Sequence, residues 1–176
     1  ASLLAPTYPP LATNVVGPLW QRASGTVLAW TQPSAITYGT PLGAAQLNAS
    51  ANAAGTFAYT PNAGTLLDAG NSQFLTVVFT PNDLANFNVA TQTVTITVLP
   101  ATPTITWANP APIVHGTALS AAQLNATVNA SGSFEFVPPA GTVLNVTNGQ
   151  PLTVFFTPEN TNNFLPASRT VFINIP

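Results

Sequence analysis

Residues 73–98 read QFLTVVFTPNDLANFNVATQTVTITV, and residues 150–175 read QPLTVFFTPENTNNFLPASRTVFINI. In the tail of the first stretch Val94, Ile96 and Val98 alternate with Thr93, Thr95 and Thr97, and Val171, Ile173 and Ile175 alternate in the same way in the second. A period of two puts the apolar groups on one face of an extended chain and the remainder on the other, the pattern of a half-buried strand. The heads of the two stretches, QFLTVVFTP and QPLTVFFTP, are denser in apolar β-formers, as a central strand flanked by neighbours would be. No segment of the chain offers ten residues of helical periodicity. The predicted class is all-β.

The two stretches are part of a longer duplication. A shift of 77 residues aligns 26–98 with 103–175 without a gap, and 35 of those 73 positions are identical. Trp30 falls on Trp107, Gly39-Thr40 on Gly116-Thr117, AAQLNA at 44–49 on AAQLNA at 121–126, and Phe79-Thr80-Pro81 on Phe156-Thr157-Pro158. A gapless match of that length means one fold made twice. Pro and Gly clusters (PSAITYGTP, NAAGT, TPNAGT, DAGN) punctuate each unit at short intervals. Six or seven short strands per unit predict a Greek-key β-sandwich anchored in the core by Trp30, Trp107, Phe79 and Phe156. The expected division is an extended N-terminal segment over 1–25, one repeat over 26–99 and a second over 100–176. The short ATP joint at 101–103, with Pro100 and Pro103 beside it, predicts a restricted hinge and an elongated rod.

Composition narrows the function classes. Only Arg22, Arg169, Asp68, Asp83, Glu135 and Glu159 carry charge, 3% of the chain against roughly 25% in ordinary domains. The solvated surface must therefore be Thr, Asn, Ser and Gln. With a net charge of −2 there is no basic patch for a phosphate backbone, and a nucleic-acid role is set aside. No apolar run approaches the roughly 18 residues that span a bilayer, so no membrane span is expected. A start at ASLLAP and the absence of Met read as a processed, exported chain, secreted or displayed at the cell surface. Without Cys, packing rather than disulfides must hold the fold, and thiolate metal sites are excluded.

The run ITWANPAPIVHGTALSAAQLNATV, followed by GSFEFVPPAGTVLN, LTVFFTPENTNNF and RTVFINI, closely resembles the Ig-like tandem repeats of bacterial surface and secreted adhesin-like proteins. The resemblance covers both repeats. It implies two tandem Ig-like β-sandwiches used as a stalk, spacer or adhesive unit, and it supplies no catalytic residue. In that pattern an aromatic, often Tyr, follows the Asn of the TP…N-aromatic loop. Phe87 and Phe164 stand there instead, so a hydroxyl bond fixing that corner is missing or replaced.

Candidate chemistry is sparse. His115 matches Tyr38 across the duplication, which marks an aromatic position rather than a catalytic one. None of the acids is repeated: Asp68 falls opposite Asn145, Asp83 opposite Asn160, Glu135 opposite Ala58 and Glu159 opposite Asn82. Paired glycosidase carboxylates are not expected from such scattered acids. Asp83 with Asn carbonyls nearby would make only a weak calcium site. All four acids are read as solvated loop groups, and neither cofactor nor metal is expected. Four N-x-S/T sequons, at Asn48, Asn125, Asn129 and Asn145, would be acceptors in a host that glycosylates exported chains.

The N-terminal segment holds Leu3, Leu4, Tyr8, Leu11, Val15, Val16, Leu19 and Trp20, too much apolar surface for a flexible linker. Leu11, Thr13 and Val15 alternate as strand residues do. With Leu19 and Trp20 they are the expected subunit contacts, made by strand addition to a neighbouring copy. The leading expectation is a non-enzymatic subunit of an extracellular filament that self-associates into a homopolymer. The alternatives are stalk repeats of a large surface adhesin and a carbohydrate-binding accessory module with Trp20 as its platform. Surface glycans or other cell-surface proteins are the further partners considered.

Overall fold

The structure is a computed structural model that describes residues 25–176. Leu11, Thr13, Val15, Leu19 and Trp20 lie outside the described residues. Within them the fold is all-β and sandwich-like, with no helix.

In the first copy of the repeat the strands are β1 (Leu28–Ala29), β2 (Ile36–Thr37), β3 (Ser50–Ala51), β4 (Gly55–Thr60), β5 (Gly70–Pro81) and β6 (Ala90–Leu99). The second copy contributes β7 (Ile105–Thr106), β8 (Thr127–Val128), β9 (Gly132–Val137), β10 (Thr147–Pro158) and β11 (Ala167–Ile175). The larger sheets run β2-β6-β5-β4 and β11-β10-β9, and the pairs β1-β3 and β7-β8 form two small sheets. The two dense apolar stretches, β5 and β10, are the central strands. Each pairs antiparallel on both sides, with Val77 opposite Gln92 and Tyr59, and Val154 opposite Arg169 and Phe136.

β2 runs parallel to the end of β6, Ile36 opposite Val98. In the second copy only one bond of that pairing recurs, Ile113 N–H donating to the Asn174 carbonyl at 3.2 Å. That copy consequently shows five strands where the other shows six.

The alternation settles which face is buried. Leu75, Val77 and Phe79 on β5 and Ile96 and Val98 on β6 point inward, and Leu152, Val154, Phe156, Val171, Ile173 and Ile175 do the same on β10 and β11. Burying each such side chain contributes about 1.5–3 kcal/mol. The core divides into two clusters, one around Trp30 and one around Trp107. Trp30 and Trp107 are buried, and each indole N–H donates to a main-chain carbonyl, of Gln46 at 3.0 Å and of Gln123 at 2.9 Å. Tyr59 meets the Trp30 ring edge-on at 5.4 Å, and Phe136 meets Trp107 at 5.5 Å.

Phe79 and Phe156 pass under Gly55 and Gly132, where an added Cβ would overlap both the ring and the carbonyl oxygen of the facing strand. Glycine is required there by close approach. X-Pro bonds at Thr60-Pro61 and Val137-Pro138 are cis.

Each central strand opens with a register shift, between Gly70 and Gln73 in β5 and between Thr147 and Gln150 in β10. The bulge needs a residue in the left-handed region. The second copy supplies Gly149 with φ 79°, and the first uses Ser72 with φ 54°. A non-glycine residue there costs about 1–2 kcal/mol, offset in part by the freer unfolded chain that glycine brings. Ser72→Gly should therefore raise stability by roughly 0.5–1 kcal/mol, and Gly149→Ser should lower it by a similar amount. Denaturant unfolding of both variants checks this, and a Ser72→Gly variant less stable than the parent contradicts it.

Candidate functional site at the repeat junction

The most developed polar constellation among the described residues lies where the two copies meet. It is built on the loop between β10 and β11. Asn160 turns that loop: its Oδ1 accepts from the N–H groups of Asn162 at 3.2 Å and Asn163 at 3.1 Å, and its carbonyl accepts from Phe164 N–H at 3.1 Å. This is the local competition that makes Asn and Asp turn formers.

The turn aims Asn163 at the first copy. Asn163 Nδ2 donates to Asp68 Oδ1 at 2.8 Å, and Asn163 Oδ1 accepts from Ala69 N–H at 2.7 Å. Asn162 Nδ2 donates to the Ala69 carbonyl at 3.0 Å. Asn163 is only 2% exposed, so these bonds are what permit an amide to be buried there. Phe164 meets Tyr38 edge-on, centroids 5.3 Å apart and planes at 82°.

The joint between the copies is zipped onto the same loop. Ala101 N–H donates to the Asn163 carbonyl at 2.9 Å, and Leu165 N–H donates to the Ala101 carbonyl at 2.8 Å. The restricted hinge read from its prolines is thus also held by two backbone bonds.

Asp68 is an exposed loop acid, as expected, and its carboxylate also accepts from the buried Asn163. Glu135 departs from the loop reading, because it stands within β9 with its side chain on the exposed face. Asp83 occupies the place of Asn160 in the first copy and spends its carboxylate within its own loop. Oδ1 accepts from Ala85 and Asn86 N–H, and Oδ2 accepts from Asn86 Nδ2 at 2.7 Å. The Asn86 side-chain bond is the main reason its carboxyl is held below the ordinary aspartate value, and the two backbone bonds add to it. Glu135 and Glu159 are exposed, as is His115.

Asn48, Asn125, Asn129 and Asn145 are all exposed. Asn48 and Asn125 donate back to their own turns, to the carbonyls of Ala45 and Ala122, and Asn129 Oδ1 accepts from Thr104 N–H at 2.7 Å. Among the described residues no three His, Cys, Asp or Glu side chains converge as metal ligands would. An open depression of about 540 Å³ lies against the junction loop, lined by Ser131, Glu159, Asn160, Thr161, Asn162 and Phe164. It contains one ionisable group, Glu159.

What this arrangement can do is mechanical. It fixes one copy against the next through a buried amide, a carboxylate and an aromatic contact. Sequence reading missed Asn162 and Asn163 as its working residues. The available signal was the pair of positions where the copies diverge, Asp68 against Asn145 and Asn162 against Ala85.

Removing the buried amide leaves Ala69 N–H and Asp68 without their partner, so Asn163→Ala should destabilise the chain by about 2 kcal/mol. It should also broaden or split the unfolding transition as the copies lose coupling, and calorimetry reads both effects. A single unshifted transition would mean that the junction contributes nothing. For Asp83 the folded pKa is depressed, so its contribution is present above the unfolded pKa and is lost as pH falls through the folded one. Asp83→Asn keeps the turn that Asn160 makes in the other copy. It should flatten the decline of the melting midpoint below about pH 4 and leave the neutral region unchanged.

Comparison with protein-family models and with curated proteins gave no match to this chain.

Proposed function

We propose that this chain is a non-enzymatic structural subunit of an extracellular or cell-surface filament, built from two tandem Ig-like Greek-key sandwiches and assembled by non-covalent contacts between copies. One observation carries the reading. β4 and β9, six residues each, pair with a neighbour on one side only among the described residues. An open edge of that length is a template for an added strand, whose main-chain bonds give affinity without covalent linkage.

The sequence supplies a donor in the alternating Leu11, Thr13 and Val15, followed by Leu19 and Trp20. β4 is the better acceptor of the two edges. It carries no charge along Gly55–Thr60, whereas β9 presents the exposed Glu135, the kind of residue that discourages edge pairing. A surface with so few charges also loses little solvation when it is covered by another subunit. For the sandwich itself, the support is the order β2-β6-β5-β4, with a parallel edge beside three antiparallel strands, and the separate β1-β3 pair.

A second reading, stalk repeats of a large adhesin, is favoured by the junction. The Asn163 clamp stiffens one copy against the next, and stiffness is what a spacer needs.

Deleting residues 1–20 separates the two. The truncated chain should keep its β-type circular dichroism and lose all fibres in negative-stain electron microscopy. Fibres that persist would remove strand donation and leave the stalk reading.

A further inference from the structure

Asn148 is the one asparagine in the chain that a glycine follows, and the fold puts that step in the bulge that opens β10. Thr147 pairs with Ile175 and Gln150 with Ile173, so Asn148 and Gly149 stand between two cross-strand pairs and belong to neither. Both are exposed. Gly149 holds φ at 79°, and a Cβ built on it would meet no heavy atom within 4 Å, so that side of the residue is open to water among the described residues. Its N–H is nonetheless held, donating to Asn174 Oδ1 at 2.8 Å.

We propose that Asn148 is a site of self-modification, in which the Gly149 main-chain nitrogen closes onto the Asn148 side chain and water reopens the ring to an acid, and that Asn174 sets the rate. This goes beyond the filament reading and does not depend on it.

The reaction needs only the chain and water. The Gly149 nitrogen loses its proton to solvent and bonds to Asn148 Cγ. The Cγ–Nδ2 bond breaks, and ammonia leaves carrying a proton returned through water, which gives a succinimide ring. Water then opens either ring carbonyl. Breaking the new bond gives aspartate with the main chain as before, and breaking the original peptide bond gives isoaspartate, whose main chain runs through Cγ and gains a carbon. Glycine favours closure because no Cβ crowds the attacking nitrogen. The added carbon falls in the bulge, not in a paired run where it would displace the register beyond it. Either product is a carboxylate at neutral pH, on a chain whose net charge is −2.

Asn174 is the restraint. The nitrogen must release its hydrogen and turn onto Cγ before it can attack, and the bond to Asn174 Oδ1 opposes both. The Asn174 carbonyl accepts from Ile113 N–H, so its main chain is anchored independently of its side chain. In the first copy the equivalent step is Asn71-Ser72, and Thr97 stands in the place of Asn174. The holding amide thus faces the copy that carries the labile step.

The test incubates the folded chain of residues 1–176 at mildly alkaline pH and follows conversion by peptide mapping with mass spectrometry and by ion exchange. The parent should gain an acid at Asn148 ahead of every other asparagine. Asn174→Ala should convert roughly three- to ten-fold faster, the factor that the net contribution of one hydrogen bond sets. Asn174→Asp keeps an acceptor oxygen and should stay close to the parent. In urea, where the fold no longer holds the N–H, the parent and Asn174→Ala should convert at one rate. Ser72→Gly creates a second Asn-Gly step with Thr97 opposite, and Asn71 in that variant should convert faster than Asn148.

Conversion led by another asparagine overturns the site. A folded Asn174→Ala variant that converts at the parent's rate overturns the restraint, and so does a difference between the two that persists in urea. The Ser72→Gly variant reads the restraint without touching Asn174, and an Asn71 that converts no faster than Asn148 there overturns it as well.

Discussion

A buried indole must place its single N–H on an acceptor, and the inner architecture of each repeat follows from how that is met. Trp30 donates to the carbonyl of Gln46, and Trp107 donates to that of Gln123. Those carbonyls belong to tight turns, and the same glutamines hold the turns shut, with Oε1 accepting from Gly43 N–H in one copy and from Ser120 N–H and Oγ–H in the other. The Trp main chain is engaged as well: the Trp30 carbonyl accepts from Gln92 Nε2, and the Trp107 carbonyl accepts from Arg169 Nε. One residue thereby ties the first strand region, the AAQLNA turn and the last strand together across the core. An unpaired indole N–H in the same place would cost about 1–3 kcal/mol, which is why the motif that serves it is repeated without change.

This explains which parts were legible in the sequence. A period of two is a direct record of a half-buried strand, so β5, β6, β10 and β11 could be read from Leu75 to Val98 and from Leu152 to Ile175. The all-β class followed from them. The two-residue strands β1, β3, β7 and β8 could not be read, because two residues have no period and their pairing is a consequence of where the Trp residues are anchored. AAQLNA was visible as a repeat but not as the indole's partner, since the bond is made by a main-chain carbonyl that any residue could offer. The junction was hidden for a different reason. Asn163 and Asp68 are 95 residues apart, and an amide that bridges two copies leaves no local pattern.

The two copies also act as natural substitutions of one another. Tyr59 hydroxyl accepts from Ala49 N–H at 3.0 Å, while Phe136 in the same place keeps the edge contact to its Trp without a hydroxyl, so the ring is common to both copies and the hydroxyl an addition. At Gln92 the amide donates to Trp30, but its Oε1 is buried with no hydrogen-bond partner among the described residues. Arg169 has no acceptor to leave stranded, and it reaches two carbonyls, of Trp107 and Ile105. A guanidinium is better matched than an amide to a position surrounded by acceptors.

The scarcity of charge gives these few groups unusual influence over how copies meet. On an ordinary surface a single carboxylate is one of many, and its neighbours screen it or compete for its partners. Here one of the four acids, Asp68, stands at the junction of the two copies and accepts from the buried Asn163, while Asp83 bonds only within its own loop. Hydroxyls and amides pair with one another in many registers, so a contact made only of Thr, Ser and Asn would discriminate poorly. The Asp68 carboxylate facing the buried Asn163 amide favours one register, because a shifted alignment leaves that amide buried without its partners. A nearly neutral surface discriminates little between alignments, and within the chain the Asp68–Asn163 pair marks the one that is kept.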